Sequence, residues 1–219
     1  SDACNEATEH SGFHWLPDPT QRFWPDAPDH ITMEYFHNSL EWLLENVSYE
    51  INGQAHFLYD FNWPYKGYPG GKLIPPWWSG LTDAHAITLL LRGYDCFSDQ
   101  RYLSLAADLY KSSVTPIDKG GSLTSWDGHP WIEEYVDPRV PSSDLSRVWN
   151  GMAYSYFGIK AYEEFIGQER ISSELFDSMA EHVEKYDLGV WSYYDAIGSR
   201  ANIKYHLINW ALIKDDRLG

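Results

Sequence analysis

The chain has 219 residues, a formal net charge of −16 and a hydrophobic fraction of 43%. This length predicts one domain, or one domain with an extension. The acidic balance argues against nucleic-acid binding, which needs a surplus of Lys and Arg. No apolar run approaches the roughly 18 residues of a membrane-spanning helix, so we expect no membrane span.

Aromatic residues are unusually frequent, with 11 Trp and 16 Tyr. Aromatic faces stack on the C–H faces of sugar rings, so this composition weakly favours carbohydrate as a ligand. An aromatic-rich core would explain it equally well. The two cysteines, Cys4 and Cys96, could pair, but two cysteines so distant in sequence form no disulfide framework. They therefore do not indicate the cellular compartment of the protein.

Residues 1–32 are rich in Pro and aromatic residues and predict an ordered arm laid over the surface. Residues 33–219 then form the predicted main domain. Thr32 can cap a first helix over about 33–47. Asn52-Gly53, with alternating aromatic residues on either side, predicts a β-hairpin.

The helix predicted after Ser79 is the element around which the rest of the predicted fold is arranged. Pro75-Pro76 ends an extended approach, and Ser79 can cap a helix that continues to about Tyr94. One face is apolar, whereas His85 and Arg92 lie on a second face that is about half polar. This pattern favours an inner helix with a polar stripe turned toward a cleft; a core helix with a tolerated His is an equal alternative.

Further helices alternate between amphipathic and mostly apolar patterns. The predicted order is an outer helix from Asp99 to Ser113, an inner helix from Ser143 or Ser146 to Phe165, an outer helix from Ser172 or Ser173, and an inner helix after Asn202. Two extended segments are predicted between these helices, at Ser122 to Tyr135 and at Gly189 to Asp195. The pattern is typical of helical hairpins arranged in a ring. We therefore expect an all-α-dominated fold, an incomplete α/α toroid with short β-hairpins at the rim of a cleft.

Polar residues cluster in three segments, 131–135, 191–195 and 202–209, which should reach the same rim. Strand alternation would place Glu133 and Tyr135 on one face and Glu134 on the other. Glutamate, tyrosine and cationic side chains suit abstraction of a proton next to a carboxylate. A neighbouring cation could lower the pKa of such a tyrosine. The cations available for an anionic substrate are Arg92, Arg139, Arg147, Lys160, Arg200 and Lys204.

Each of these signals has a plainer explanation. A buried Tyr more often donates to a backbone carbonyl, and a Glu in a strand is more often solvated. Asp83 and His85 could bind a metal, but the sequence places no third ligand, so we expect no metal.

Five ordered motifs resemble the C-terminal domain of D-glucuronyl C5-epimerases over roughly residues 47–213. They are Pro76-Trp77-Trp78-Ser79-Gly80-Leu81 with His85-Ala86-Ile87 and Leu91-Arg92-Gly93-Tyr94, Trp131-Ile132-Glu133-Glu134-Tyr135, Val148-Trp149-Asn150-Gly151-Met152, Trp191-Ser192-Tyr193-Tyr194-Asp195, and Tyr205-His206. The family converts glucuronic to iduronic acid units in heparosan-type chains. The resemblance implies a toroid-like domain and two-base chemistry without metal or cofactor.

Carried over residue by residue, the resemblance implies a set of site residues. The catalytic residues would be Glu134, Tyr135, Tyr194 and Tyr205. The substrate contacts would be Trp78, His85, Arg92, Trp131, Arg147, Asn150, Asp195, Arg200 and His206. Glu134 and Tyr205 would flank the C5 carbon of the sugar from opposite faces. Where the family has an Arg two residues after its Tyr-Asp motif, this chain has Ile197, and Arg200 is the candidate to replace it.

The expected partner is an acidic polysaccharide or oligosaccharide. A secreted or periplasmic location is favoured, and a homodimer is one expected assembly. Three other functions stay open: a uronate lyase acting by β-elimination, a glycoside hydrolase using two carboxylates such as Asp83 and Glu134, and a non-catalytic sugar-binding module.

Overall fold

The computed structural model describes residues 29–214, with side chains from residue 33. The predicted arm, Cys4 included, lies outside the described residues except for 29–32, which begin a helix. The described helices are α1 (Asp29–Asn46), α2 (Gly80–Phe97), α3 (Gln100–Ser113), α4 (Trp149–Phe165), α5 (Ser172–His182) and α6 (Ile203–Ile213). The described strands are β1 (Ser48–Ile51), β2 (Gln54–His56), β3 (Trp63–Pro64), β4 (Lys72–Leu73), β5 (Leu123–Trp126) and β6 (His129–Ile132), paired as three antiparallel hairpins.

The centre of the fold is the packing of α2 against α4. Gly158 of α4 lies directly over Ala84 of α2, and a Cβ at Gly158 would stand 2.1 Å from the Ala84 carbonyl oxygen. The two backbones therefore approach with no side chain between them. α3 packs on α2, while α5 and α6 pack on α4. A helix-dominated fold is confirmed, and α2 and α4 are central with α3 and α5 flanking them, as predicted. The prediction that α6 is an inner helix is wrong for the described residues, because Ile203, Leu207 and Trp210 are more than half exposed and α6 packs mainly along α4. Closure into a toroid stays a prediction.

The predicted turns and caps are largely confirmed. Asn52 and Gly53 both have positive φ and join β1 to β2, as a tight hairpin requires. The Ser79 side chain accepts from the backbone N–H of Thr82 at the start of α2. The Asn202 side chain accepts from the backbone N–H of Tyr205 at the start of α6.

Two predicted helix starts are wrong. α1 begins at Asp29, so Thr32 lies inside the helix and does not cap it. α4 begins at Trp149, because Ser142–Asp144 forms a separate 3₁₀ turn and Arg147 has a φ of 49°, which a helix cannot accommodate. Because α4 begins later than predicted, residues 133–148 form an irregular connection between β6 and α4, beside the candidate site. Within residues 29–214, no helix is both long enough and apolar enough to cross a bilayer.

A buried carboxylate replaces a side-chain cap on α5. Glu163, near the end of α4, accepts from the backbone N–H groups of Arg170, Ile171 and Ser172 and from the hydroxyls of Ser172 and Tyr110. Burial alone would raise the pKa of Glu163, but these donors lower it below its usual value. The carboxylate thus fixes the turn between α4 and α5.

Replacing Glu163 should therefore destabilise the fold. Glu163→Gln keeps one acceptor oxygen but loses the charge, and we expect the free energy of unfolding to fall by about 2–3 kcal/mol at pH 7. Because a lowered folded-state pKa stabilises only above that pKa, the difference should shrink as the pH falls toward 3. Urea unfolding measures both. Glu174→Gln, in the exposed first turn of α5, is the matched control; equal losses in the two variants would contradict this role.

Candidate active site

A pocket of about 250 Å³ opens where three distant segments meet. Tyr135 arrives just after β6, Tyr194 from the extended segment before α6, and Tyr205 from the first turn of α6. The pocket is lined by Trp63, Tyr65, Tyr135, Tyr194, Ser199, Arg200, Asn202 and Tyr205. Three of the four residues assigned catalytic roles by resemblance thus line one pocket.

The phenols form a connected cluster with Glu134. The hydroxyl oxygens of Tyr135 and Tyr194 are 2.9 Å apart, and the Tyr194 hydroxyl donates to Glu134 Oε1 at 3.5 Å. The rings of Tyr194 and Tyr205 are 4.7 Å apart between centroids. Strand alternation does not separate Glu134 from Tyr135, because β6 ends at Ile132 and the chain turns irregular before reaching them.

Glu134 lies behind the phenols. It is 8% exposed, and among the described residues its Oε2 has no hydrogen-bond partner. Burial raises the pKa of Glu134 to about 7, although the hydroxyls of Tyr135 and Tyr194 act to lower it. The carboxyl group is therefore balanced between its acid and base forms near neutral pH, which is typical of a proton-transfer group.

Gly151 makes room for this carboxyl group. It lies in the first turn of α4, and a Cβ there would stand 2.4 Å from Glu134 Oε2 and 2.5 Å from Glu134 Cβ. Any larger residue would displace the Glu134 side chain or the helix. The Trp149-Asn150-Gly151 motif thus serves the site through the space that Gly151 leaves.

Glu133 has a different environment. It is fully buried, and its Oε2 accepts from the backbone N–H of Arg147 at 3.1 Å. Burial also raises the pKa of Glu133 to about 7. Among the described residues, Glu133 makes no hydrogen bond to the phenol cluster, so these two adjacent carboxylates have separate surroundings.

The pKa of each pocket tyrosine is raised, not lowered as the sequence suggested for a tyrosine near cations. Burial is the main cause for Tyr135, Tyr194 and Tyr205, and the charge of Glu134 adds to it. Lys204 lies 5.4 Å from the centre of the Tyr205 ring, which does not offset burial. The phenols therefore stay protonated at neutral pH and can donate protons.

Asp195 supports the pocket wall from behind. It is fully buried, accepts from the Tyr65 hydroxyl, and accepts from the Ser199 backbone N–H at 2.8 Å. This bond orients Tyr65, whose ring lies edge-on to Tyr135 at 5.3 Å. The sequence assigned no role to Tyr65 or Trp63; the aromatic, glycine-rich loop around residues 65–71 was the available signal.

Among the described residues that line the pocket, Arg200 is the cation, and its guanidinium carbon lies 5.4 Å from the centre of the Trp191 ring. The other residues assigned to substrate contact lie elsewhere. Trp78 and Trp131 are fully buried, and Trp78 stacks on His56. The Arg147 guanidinium donates to the carbonyl groups of Leu145 and Ser142.

Further along α2, His85 packs edge-on to Tyr154, and burial lowers its pKa to about 4. Arg92 follows two turns later on the same helix. Asn150 is buried in the first turn of α4, and His206 stacks on Trp191 beside a second pocket. The structure thus places the tyrosines and Arg200 at one pocket, whereas most of the other residues predicted to contact substrate lie away from it.

Asp83 is fully buried and bonded to His56 at 2.7 Å, and it also accepts from the Phe57 backbone N–H. It holds the start of α2 against β2 and lines no part of the pocket. Over residues 33–214, no group of three or more His, Cys, Asp or Glu side chains is placed to hold a metal ion.

Comparison with known proteins identifies the family. The model of the family described as D-glucuronyl C5-epimerase C-terminus matches residues 52–215. The chain belongs to this family. The match spans every residue of the candidate pocket.

Two curated relatives agree with this assignment at low identity. The chain is 28% identical over 164 residues to a D-glucuronyl C5-epimerase of Caenorhabditis elegans, covering 65% of this chain and 26% of that protein. It is also 28% identical over 145 residues to an uncharacterized protein of Methanocaldococcus jannaschii, covering 63% of this chain and 46% of that protein. This C5-epimerase-family chain thus matches about a quarter of the length of the C. elegans protein and less than half of the length of the M. jannaschii protein.

The buried state of Glu134 predicts how stability depends on pH. A raised folded-state pKa means that stability is greatest below the ordinary value of 4.5 and is lost as the pH rises through about 7. Glu134→Gln does not ionise, so its stability relative to the native chain should improve by up to about 3 kcal/mol between pH 4.5 and pH 8.

Urea unfolding of both chains at the two pH values measures this change. Glu164→Gln is the control, because the Glu164 side chain is 69% exposed and should give no pH-dependent difference. A Glu134→Gln difference that stays flat from pH 4.5 to 8 would mean that Glu134 ionises normally.

Proposed function

We propose that this chain is an isomerase that inverts C5 of glucuronic acid units in an acidic, heparosan-like polysaccharide. The observation that carries the proposal is the convergence of Glu134, Tyr135, Tyr194 and Tyr205 at one pocket. Membership of the C5-epimerase family and the C. elegans relative support the reaction type. We also propose that the helices form an arc of an α/α toroid, supported by α2 and α4 packing centrally with α3 and α5 flanking them.

The chemistry requires removing a weakly acidic proton from C5, next to the sugar carboxylate. The electron pair of the C5–H bond moves into the carboxylate and forms an enediolate with an added negative charge. Arg200, at the pocket wall, is placed to neutralise that charge. Reprotonation of C5 from the opposite face then gives the inverted sugar.

Glu134 is the proposed proton acceptor. Because the Tyr194 phenol lines the pocket and the carboxylate lies behind it, the proton would pass through Tyr194. The phenol oxygen takes the C5 proton while the phenol gives its own proton to Glu134 Oε1, 3.5 Å away. Tyr135, bonded to the same phenol oxygen, would stabilise the charge that builds up there during transfer.

Tyr205 is the proposed donor to the opposite face. Its raised pKa keeps the phenol protonated until the enediolate forms. A sugar ring cannot lie between the rings of Tyr194 and Tyr205, which are only 4.7 Å apart. C5 must therefore lie beyond their hydroxyl ends, where the two groups can approach from different sides.

That ring contact also favours a second candidate, a uronate lyase. A lyase uses the same C5 proton abstraction but expels the C4 oxygen substituent. In a glucuronate unit the C5 hydrogen and the C4 oxygen lie on the same face, so clustered tyrosines could serve both steps. The two reactions differ in product, since only the lyase cleaves the chain and forms an unsaturated sugar.

Incubation with uronate polysaccharides in deuterated water should introduce deuterium at C5 without cleaving the chain. Tyr205→Phe should lower iduronate formation at least about 100-fold, because it removes the donor to the second face. NMR of the digested polymer measures both deuterium and configuration.

Tyr193→Phe is the matched control, since Tyr193 is adjacent to Tyr194 but lines no part of the pocket. It should retain activity. Ultraviolet absorbance from an unsaturated product would point to the lyase. Unchanged inversion in Tyr205→Phe would refute the role given to Tyr205.

The pH dependence should report Glu134. Proton abstraction needs the carboxylate form, so kcat/KM for the glucuronate direction should rise with pH through an apparent pKa of about 7. Because burial raises the pKa of Tyr205, its ionisation should cause no falling limb near neutral pH. A profile already flat above pH 5 would indicate that a carboxylate with an ordinary pKa controls the reaction.

A further inference from the structure

Glu133 is a buried carboxyl group to which the proposed chemistry gives no role. Among the described residues, its Oε2 accepts from the backbone N–H of Arg147 and its Oε1 has no hydrogen-bond partner. Glu163, whose carboxylate stabilises the fold, accepts from five donors instead. Burying a carboxyl group with so few donors is unfavourable. The stability of the fold therefore does not explain why Glu133 is buried.

The bond made by Glu133 goes to a residue with a strained backbone. Arg147 has a φ of 49°, in the left-handed region that residues with a side chain rarely adopt. Such strain persists only where neighbouring groups hold it. Here Glu133 Oε2 accepts from the Arg147 N–H at 3.1 Å, and the Tyr186 hydroxyl donates to the Arg147 carbonyl oxygen at 2.5 Å. The strained residue turns the chain into α4, which begins two residues later.

Residues 146–151, around this strained position, connect the two parts of the candidate active site. On one side Gly151 lies against Glu134, where an added Cβ would stand 2.4 Å from Oε2. On the other side the Trp149 N–H donates to the Tyr194 carbonyl oxygen at 3.3 Å. The segment therefore fixes where the proposed proton acceptor lies relative to the phenol that donates to it.

The backbone of Glu133 is anchored independently of this segment. Its carbonyl oxygen accepts from the Gly80 N–H at the start of α2, and its N–H donates to the Ser122 carbonyl oxygen beside β5. With its backbone held on both sides, Glu133 is a fixed point from which its side chain can hold the start of α4.

We propose that Glu133 is a positioning residue: by accepting from the Arg147 N–H, it holds the start of α4 so that the Tyr194 hydroxyl stays bonded to Glu134. Glu133 itself touches no substrate. The proposal rests on the proposed function for the identity of the proton that is transferred. It requires an acceptor oxygen at residue 133 and does not require the charge.

Two substitutions separate the oxygen from the charge. Glu133→Met keeps the length of the side chain without an oxygen acceptor, whereas Glu133→Gln keeps one acceptor oxygen. We expect Glu133→Met to lower kcat for C5 deuterium exchange about 10- to 100-fold, because small displacements of reacting groups slow a reaction strongly. Glu133→Gln should stay within about threefold of the native chain, and KM should change less than about twofold in both. The assays are run above the pKa of about 7 of Glu134, so that its carboxylate form is present.

Arg147→Gly tests the strained backbone, because glycine adopts a positive φ without a carboxylate to hold it. Added to Glu133→Met, it should raise kcat above that of Glu133→Met alone. The matched control is Glu163→Gln, which lowers stability at the other end of α4. It should retain the native kcat at a temperature where it is fully folded.

Crystal structures of the variants give a measurement that needs no activity. Glu133→Met should change the φ of Arg147 and separate the Tyr194 hydroxyl from Glu134, and Glu133→Gln should change neither. If the native chain exchanges no C5 hydrogen and the structures still differ in this way, the proposed function is rejected and the positioning role is supported.

Four kinetic results would overturn the positioning role. Native activity in Glu133→Met would show that the bond is not needed. Equal losses in Glu133→Met and Glu133→Gln would assign the effect to charge, and a change confined to KM would assign it to substrate contact. An equal loss of kcat in Glu163→Gln would assign it to general destabilisation. Failure of Arg147→Gly to raise kcat would remove the strained backbone as the link between Glu133 and the site.

Discussion

The burial of Glu134 behind a layer of phenols is the constraint on which the candidate site depends. Burial keeps water from the carboxylate and raises its pKa to about 7, and the Tyr194 hydroxyl, which donates to it, faces the pocket. The arrangement is unfavourable for folding above neutral pH, because the buried group must then ionise. The fold is thus less stable at the pH at which Glu134 is the carboxylate that proton transfer requires. Such a loss of stability is common at functional sites.

The surrounding structure maintains this arrangement through close backbone approaches and a few buried bonds. Gly151 leaves space for the carboxylate at the start of α4, and Gly158 lets α4 lie directly on α2. Asp195 orients Tyr65 beside Tyr135. Glu163, by contrast, is buried with a full set of donors and stabilises the chain. Two buried carboxylates on or against α4 therefore affect stability in opposite directions, because the donors to Glu163 outweigh its burial, whereas the phenol hydroxyls do not outweigh the burial of Glu134.

Local pattern in the sequence determined the presence and order of the helices, the Asn52-Gly53 turn and the caps at Ser79 and Asn202, because each depends on residues close together in the chain. It did not determine where α1 and α4 begin. Ordered motifs also indicated the family and the residues of the phenol cluster. The resemblance already assigned Glu134 rather than Glu133 to the site, but only the tertiary structure decided that Glu134 and Tyr135 meet, since irregular chain after β6 overrides strand alternation. It likewise buried Trp78, Trp131 and Arg147, which the sequence had assigned to substrate contact, because exposure depends on packing between segments far apart in the chain.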